Sequence, residues 1–315
     1  MSNRCLYCYR PLDDGETDFH QQCSRRFFGT TSAPSLPYAV EDLQALAKQV
    51  VRSQTTIPGV QAKLSIDLDR MSRDTKRFTI VGLWGRFILK PPTPLYPHLP
   101  ELEGVTMRLA QAARIDTVPH TLIRFADGAL GYLTRRIDRT PTGAKIPMED
   151  MCQITGRLTE DKYKSSHERI AKAIEQYSSA PHLDMVKYWQ QVIFAWIVGN
   201  ADMHLKNFSL YDPDGDGYML TPTYDQLSTA IVMPDDHEEL ALSLCGKKRK
   251  LRGQHFATAM RLTGLGEKVI DNVFKRFTAS QSLWEQCVAD SFLPEEMKDA
   301  LSTLIDDRLR LLHDR

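Results

Sequence analysis

The stretch MVKYWQQVIFAWIV, residues 185–198, is apolar nearly all the way round a helical wheel. A helix without a polar face must be enclosed on every side, so the surrounding chain has to build layers around it. Directly after it comes GNADMHLKNF, residues 199–208, which sets Asp202, His204, Lys206 and Asn207 at the exit of that buried element. Four polar groups so placed are costly unless they bind something. With 315 residues the chain is long enough for two lobes, each with its own core.

Composition narrows the classes. Lys and Arg number 40 and Asp and Glu number 40, so net charge gives no reason to expect a nucleic-acid binder. The longest apolar run, around residues 192–198, is too short to cross a bilayer. The start, MSNRCLYC, lacks the apolar core of a signal peptide, and the expectation is a cytoplasmic protein with no membrane partner. Six cysteines in a chain of this length read as thiols or metal ligands rather than a disulfide framework.

The spacing predicts a helix over 41–51, then a loop at TTIPGVQAK, 55–63, with Pro58–Gly59 as its turn. Strands are predicted at 64–68, 78–83 and 86–90, the last two joined as a hairpin through Trp84–Gly85. A helix follows with Leu102, Val105, Leu109, Ala112 and Ala113 on one face, then two strands, HTLIRF and ALGYLTR, about a turn at Asp127–Gly128. From about residue 149 the pattern is mostly helical, with one hairpin at 208–221 and a C-terminal helix striped by Met297, Leu301, Ile305, Leu309 and Leu312. The domain reading is a Cys/His segment over 1–30, a small sheet-bearing lobe over 31–138 and a helical lobe over 139–315.

Asp202 and Asn207 have the separation of the base Asp and metal-binding Asn in the protein-kinase catalytic loop. A buried helix precedes them and a hairpin follows. Beyond the hairpin, Asp225 in TPTYDQLS stands where a second Mg²⁺ ligand would. Upstream, FILK ends a strand on Lys90, and Glu103 lies on the next helix as its ion-pair partner. Together these supply a lysine for the α/β-phosphates, two oxygen ligands for Mg²⁺ and a carboxylate for a substrate hydroxyl. Taken singly, Asp202 and Asn207 could be helix caps, Lys90 an edge-strand lysine and Glu103 a solvated helix residue. Their order along the chain is what favours the chemical reading.

GNADMHLKNFSL also resembles the G-N-x-D-x-H-x-K-N-x-S-L motif of the HipA-like serine/threonine kinases, toxins of bacterial toxin–antitoxin systems. IPGVQAKLS, FILKP, RRIDR, EDMCQITG, YDQLS and LALSLCGKK resemble further motifs of that family, in family order over about residues 40–250. The resemblance implies an α+β, two-lobed protein-kinase-like fold with a small β-rich N-lobe and a larger helical C-lobe, using ATP and Mg²⁺. It implies Asp202 as catalytic base, Asn207 and Asp225 as Mg²⁺ ligands, and Lys90, held by Glu103, as the ATP lysine. Pro58, Gly59, Val60, Gln61, Ala62 and Lys63 match the phosphate loop. Arg135, Arg136 and Ile137 match the hinge that meets adenine through its backbone, and His204, Lys206 and Tyr224 belong with the nucleotide contacts. The regulatory autophosphorylation site of the family matches Thr56, with Thr55 and Ser53 beside it. The implied substrate is an aminoacyl-tRNA synthetase. The implied partners are a HipB-like DNA-binding antitoxin and a HipS-like small protein, with DNA reached only indirectly. Few residues precede the phosphate loop, which resembles the short HipT-like members, and only Gly59 stands where a kinase loop has three glycines. The rival readings are a non-catalytic pseudokinase scaffold and a small-molecule kinase.

Three motifs lie outside this set. Cys5, Cys8, His20 and Cys23 read C-x₂-C-x₁₁-H-x₂-C, which fits a structural zinc knuckle, the alternative being a packed thiol-rich segment with His20 at the surface. DPDGDG, 212–217, imitates the start of a calcium loop but has Thr223 where the bidentate Glu belongs, so a polar hairpin turn is expected. GKKRKLR, 246–252, reads as a solvated strip or a part of substrate or phosphate recognition.

Overall fold

The computed structural model describes residues 3–43, 63–69, 76–81 and 85–314. The chain divides into two compact units. The first holds Met1–Gly104, Val118–Lys145 and Asp290–Phe292, and the second holds Val105–Thr117, Ile146–Ala289 and Leu293–Arg315.

The first unit contains helix α1 (Gln21–Phe28), strands β1 (Leu64–Leu68), β2 (Phe78–Ile80) and β3 (Phe87–Lys90), the start of α2 (Leu99–Ala112), then β4 (His120–Arg124) and β5 (Leu130–Arg135). The strands form one antiparallel sheet in the order β2-β1-β3-β5-β4. Leu64 and Ile66 are buried on one face of β1, as period-two alternation requires. Phe27 and Phe28 of α1 meet Phe87 and Phe78 with ring centroids 6.0 Å apart in each pair, so the N-terminal segment shares the core of the sheet.

The hairpin expected through Trp84–Gly85 does not form. β1 lies between the two strands, pairing Ile66 with Ile80 on one side and with Phe87 on the other. The Gly85 amide donates to Ser65 Oγ at 2.9 Å, and a Cβ at residue 85 would sit 2.5 Å from the Ile66 carbonyl oxygen. Glycine is there because the chain passes β1 closely, not because it turns a hairpin. The predicted helix over 41–51 lies mostly outside the described residues, of which 40–43 are helical.

The second unit contains β6 (Met148–Asp150), α3 (Met151–Ile154), α4 (His167–Tyr177), α5 (Pro181–Ile197), β7 (Ser209–Tyr211), β8 (Met219–Leu220), α6 (Thr229–Val232), α7 (Gly253–Leu262), α8 (Glu267–Ala279), α9 (Gln281–Ala289) and α10 (Glu295–Leu312). α5 is the buried helix of the sequence. It starts with Pro181 in its first turn, and every residue from Tyr188 to Ile197 is buried. Its aromatic polar atoms are satisfied, Trp189 Nε1 donating to Thr263 Oγ1 and Trp196 Nε1 to Glu239 Oε2, each at 2.9 Å. Leu301, Ile305, Leu309 and Leu312 are the buried stripe of α10. The predicted hairpin is β7–β8, and β6 adds a third strand in the order β6-β7-β8. In its turn, Asp212 Oδ1 accepts from the Gly215 and Gly217 amides at 2.8 and 3.2 Å, a polar turn closed on itself.

Candidate functional site

In the second unit the polar loop is shaped by the end of α5. Gly199 takes φ 69°, and a Cβ there would lie 2.7 Å from Leu304 Cδ2 and 2.8 Å from the Ala230 Cβ. Only glycine fits both the backbone and the space. Asn200, fully buried, then clamps two segments. Its Nδ2 donates to Gln226 Oε1 at 3.0 Å and to the Asp225 carbonyl at 3.3 Å, while its Oδ1 accepts from the Asp202 amide at 3.1 Å. Thr229 Oγ1 accepts from the Ala201 amide at 2.9 Å and donates to the Gly199 carbonyl at 3.1 Å. The 199–202 turn and the 225–229 turn are therefore one fastened body.

On this body Asp202 is exposed while His204 and Asn207 are buried. Asn207 Nδ2 donates to the Asp202 carbonyl at 2.9 Å. That bond fixes the amide so that its oxygen is the face able to ligate a cation. Asp225 has φ 55°, a left-handed conformation unusual for a residue with a side chain, imposed where Asn200 holds its carbonyl. Two oxygen donors of this kind suit a hard cation such as Mg²⁺. His204 Nδ1 accepts from the Lys206 amide at 3.3 Å, and burial holds the imidazole below its ordinary pKa, so it stays neutral. The Tyr224 hydroxyl donates to the Lys206 carbonyl at 3.0 Å and also meets Ser209 Oγ at 2.7 Å. Lys206 Nζ pairs with Asp150 Oδ2 at 2.7 Å, and Asp150 also caps α3.

Two groups near this loop were not in the sequence reading. Asn200 stands inside the GNADMHLKNF motif, but its part as a clamp shows only in the fold. Tyr163 donates its hydroxyl to Asp202 Oδ1 at 2.6 Å. It lies 39 residues away in sequence with no spacing to flag it.

In the first unit Lys90, at the end of β3, meets Glu103 of α2 with Nζ 2.6 Å from Oε1, the side chains 5% and 1% exposed. The Lys90 ammonium also lies 5.4 Å from the Tyr132 ring centroid. At the end of β5 the Arg135 and Arg136 amides donate to the Pro119 and Arg86 carbonyls, both at 2.8 Å. The Arg135 guanidinium donates to the Phe27 carbonyl and lies 5.6 Å from that ring, while Arg136 and Arg139 both pair with Asp138. These side chains are spent on structure. Lys63 is exposed just ahead of β1. Pro58, Gly59, Val60, Gln61 and Ala62, together with Ser53, Thr55 and Thr56, lie outside the described residues.

The four residues of the knuckle motif come together. One ligand atom from each of Cys5, Cys8, His20 and Cys23 lies within 4.8 Å of all the others. His20 Nε2 donates to the Pro11 carbonyl at 2.8 Å, which turns the Nδ1 lone pair to Cys8 and Cys23 at 3.3 and 3.7 Å. The hydrogen bond from the Cys8 thiol, the largest influence, draws the Cys5 thiol down to about 5, so a thiolate is at hand at neutral pH. Three sulfurs and one imidazole nitrogen suit tetrahedral zinc and leave no open position. The same segment is tied to the sheet. The Leu6 carbonyl accepts from the Leu122 amide at 3.3 Å and from Thr121 Oγ1 at 3.2 Å.

In the 246–252 strip Lys248 pairs with Glu238 at 3.1 Å and Arg252 with Asp314. No helix among the described residues is long and apolar enough to cross a membrane.

The HipA-like C-terminal domain profile matches residues 55–284. A Sinorhizobium fredii protein named "Putative kinase Y4dM" is 28% identical over 263 residues, covering 79% of this chain and 63% of its own length. A Haemophilus influenzae protein named "Putative kinase" is 26% identical over 348 residues, covering 99% of this chain and 98% of its own. Among solved structures, HipA of Shewanella oneidensis, determined with HipB and operator DNA, superposes with a TM-score of 0.68 over 89% of this chain and 71% of its own, at 19% identity. At that identity the likeness speaks to the fold, which is kinase-like. With the profile spanning most of the sequence, the chain belongs to the HipA-like family and carries its C-terminal domain.

Proposed function

We propose that the protein is an ATP-dependent serine/threonine protein kinase, the toxin of a HipBST- or HipBA-like toxin–antitoxin system. The observation that supports this most is the Lys90–Glu103 pair, 2.6 Å apart and almost fully buried. Burying two charges is expensive, and a kinase repays it by aiming the lysine at the α/β-phosphates. On this reading Asp202 holds the acceptor hydroxyl, and Asn207 and Asp225 hold Mg²⁺. The metal supplies neutralisation of phosphate charge when bound. With the Arg135 and Arg136 amides already engaged, Ile137 offers the hinge amide for adenine. The acceptor is a protein serine or threonine, with an aminoacyl-tRNA synthetase as the target class. A HipB-like antitoxin that binds DNA and a HipS-like small protein are the partners.

The test is incubation of the full chain with γ-labelled ATP, Mg²⁺ and cell lysate. A labelled protein band is expected, together with phosphate on the chain itself in the Ser53–Thr56 segment, most of it on Thr56, by peptide mass spectrometry. A phosphate there would carry nearly two negative charges beside the nucleotide and weaken its binding. A labelled metabolite would make the protein a small-molecule kinase, and no label at all a scaffold.

The Cys5, Cys8, His20 and Cys23 cluster is proposed as a structural zinc site. Protein prepared without chelator is expected to carry about one equivalent of zinc. Removing it should lower the melting temperature, because metal binding is coupled to folding and Leu6 joins this segment to β4. Metal analysis without zinc, or a melting curve indifferent to chelator, would reject the site.

A further inference from the structure

We infer that Tyr163 is a positioning residue for phosphoryl transfer, holding the Asp202 carboxylate so that one oxygen is occupied and the other faces the acceptor hydroxyl. This rests on the kinase reading and adds to it a residue that neither the motif nor the spacing indicates.

The bond that carries the inference is the 2.6 Å donation from the Tyr163 hydroxyl to Asp202 Oδ1. Asp202 stands exposed in the turn after α5, where a carboxylate without a partner would turn freely about its side-chain torsions. A base that must meet a hydroxyl in line with a phosphate loses rate when it wanders, because orientation is a large part of the barrier. A phenol on one oxygen removes that freedom and leaves the second oxygen for the acceptor.

Tyr163 is suited to this by how it is held. The Lys162 carbonyl accepts from the Leu205 amide at 3.2 Å, so the backbone beside Tyr163 is fastened to the loop it serves. The ring stands edge-on to His204, centroids 5.1 Å apart at 79°, and the Lys162 ammonium lies 5.0 Å from the ring centroid. These contacts fix the hydroxyl and argue against a strap that swings away. Tyr163 is 42% exposed, and its hydroxyl is bonded to the carboxylate rather than left to water. Partial burial, and then the bond to Asp202, raise the phenol above its ordinary range, so it remains a donor at neutral pH.

The experiment is single-turnover transfer from γ-labelled ATP by the full chain, with autophosphorylation and lysate protein as acceptors. It compares wild type, Tyr163→Phe, Asp202→Ala and the double variant. Tyr163→Phe keeps the ring and its contacts and removes only the donor. Its transfer rate should fall about 10- to 100-fold, by analogy with the loss of an outer hydrogen-bond partner that orients a metal ligand. ATP affinity and melting temperature should stay at wild-type values. In the Asp202→Ala background the same change should alter the residual rate by less than about twofold, since a residue acting through Asp202 has nothing left to act on. An active wild type with an unchanged Tyr163→Phe rate overturns the inference, as does a loss that adds fully to that of Asp202→Ala. A raised rate overturns it too, because Tyr163 would then be blocking the acceptor. A wild type that labels nothing removes the kinase reading itself, and Tyr163's role with it.

Discussion

Asp202→Ala is expected to lower phosphoryl transfer by about 10²- to 10⁴-fold while ATP still binds, the range that a positioned acid–base group contributes. The geometry makes this substitution clean. What Asp202 gives to the architecture of the loop it gives through its backbone, the amide to Asn200 Oδ1 and the carbonyl to Asn207 Nδ2. Alanine retains both. The side chain, by contrast, is exposed and bonded to Tyr163. Loss of activity should therefore come without loss of fold. Asp225→Ala should behave differently and weaken Mg·ATP binding, because its proposed work is on the metal. Single-turnover assays and equilibrium nucleotide binding on both variants separate the two roles. Near-normal transfer by Asp202→Ala would remove Asp202 as the base.

Much of this arrangement could be read from the chain, for physical reasons that differ from place to place. α5 was legible because a helix apolar on all sides has one solution, a central position. β4 and β5 were legible because Asp127–Gly128 is a local turn and the strands beside it pair with each other. The Lys90–Glu103 pair rested on a strand end and a helix start, and its members meet. Where pairing is not local, sequence gave less. β1 sits between β2 and β3, and nothing near Gly85 announces that the chain is crossing a strand rather than turning back. β6, three residues long, is too short to alternate visibly. Tyr163 reaches Asp202 only through tertiary packing, so no period or spacing could point to it. The knuckle residues were proposed from spacing, but the turn of His20 towards the sulfurs depends on the Pro11 carbonyl, which carries no sequence signal.

Breaking the Lys90–Glu103 pair should separate stability from activity in one experiment. Glu103→Ala breaks the pair by removing the carboxylate from beside a buried ammonium, and breaking a buried pair typically costs about 3–5 kcal/mol. The Tyr132 ring, 5.4 Å from the ammonium, offsets only a part of that. Lys90→Met breaks the same pair from the other side and should cost a similar amount. The double variant Lys90→Met, Glu103→Leu replaces both charges with apolar side chains of similar size. Such replacements are often neutral or stabilising, so most of the lost stability should return. Activity should not return with it, because a methionine cannot hold a phosphate. Denaturant unfolding and ATP binding on the three variants give the comparison. If the pair were kept for stability alone, the double variant would bind nucleotide and transfer phosphate as the wild type does. A buried ion pair whose removal leaves the fold intact and abolishes nucleotide binding is one retained for the charge it presents, which is the role of the strand lysine in a kinase.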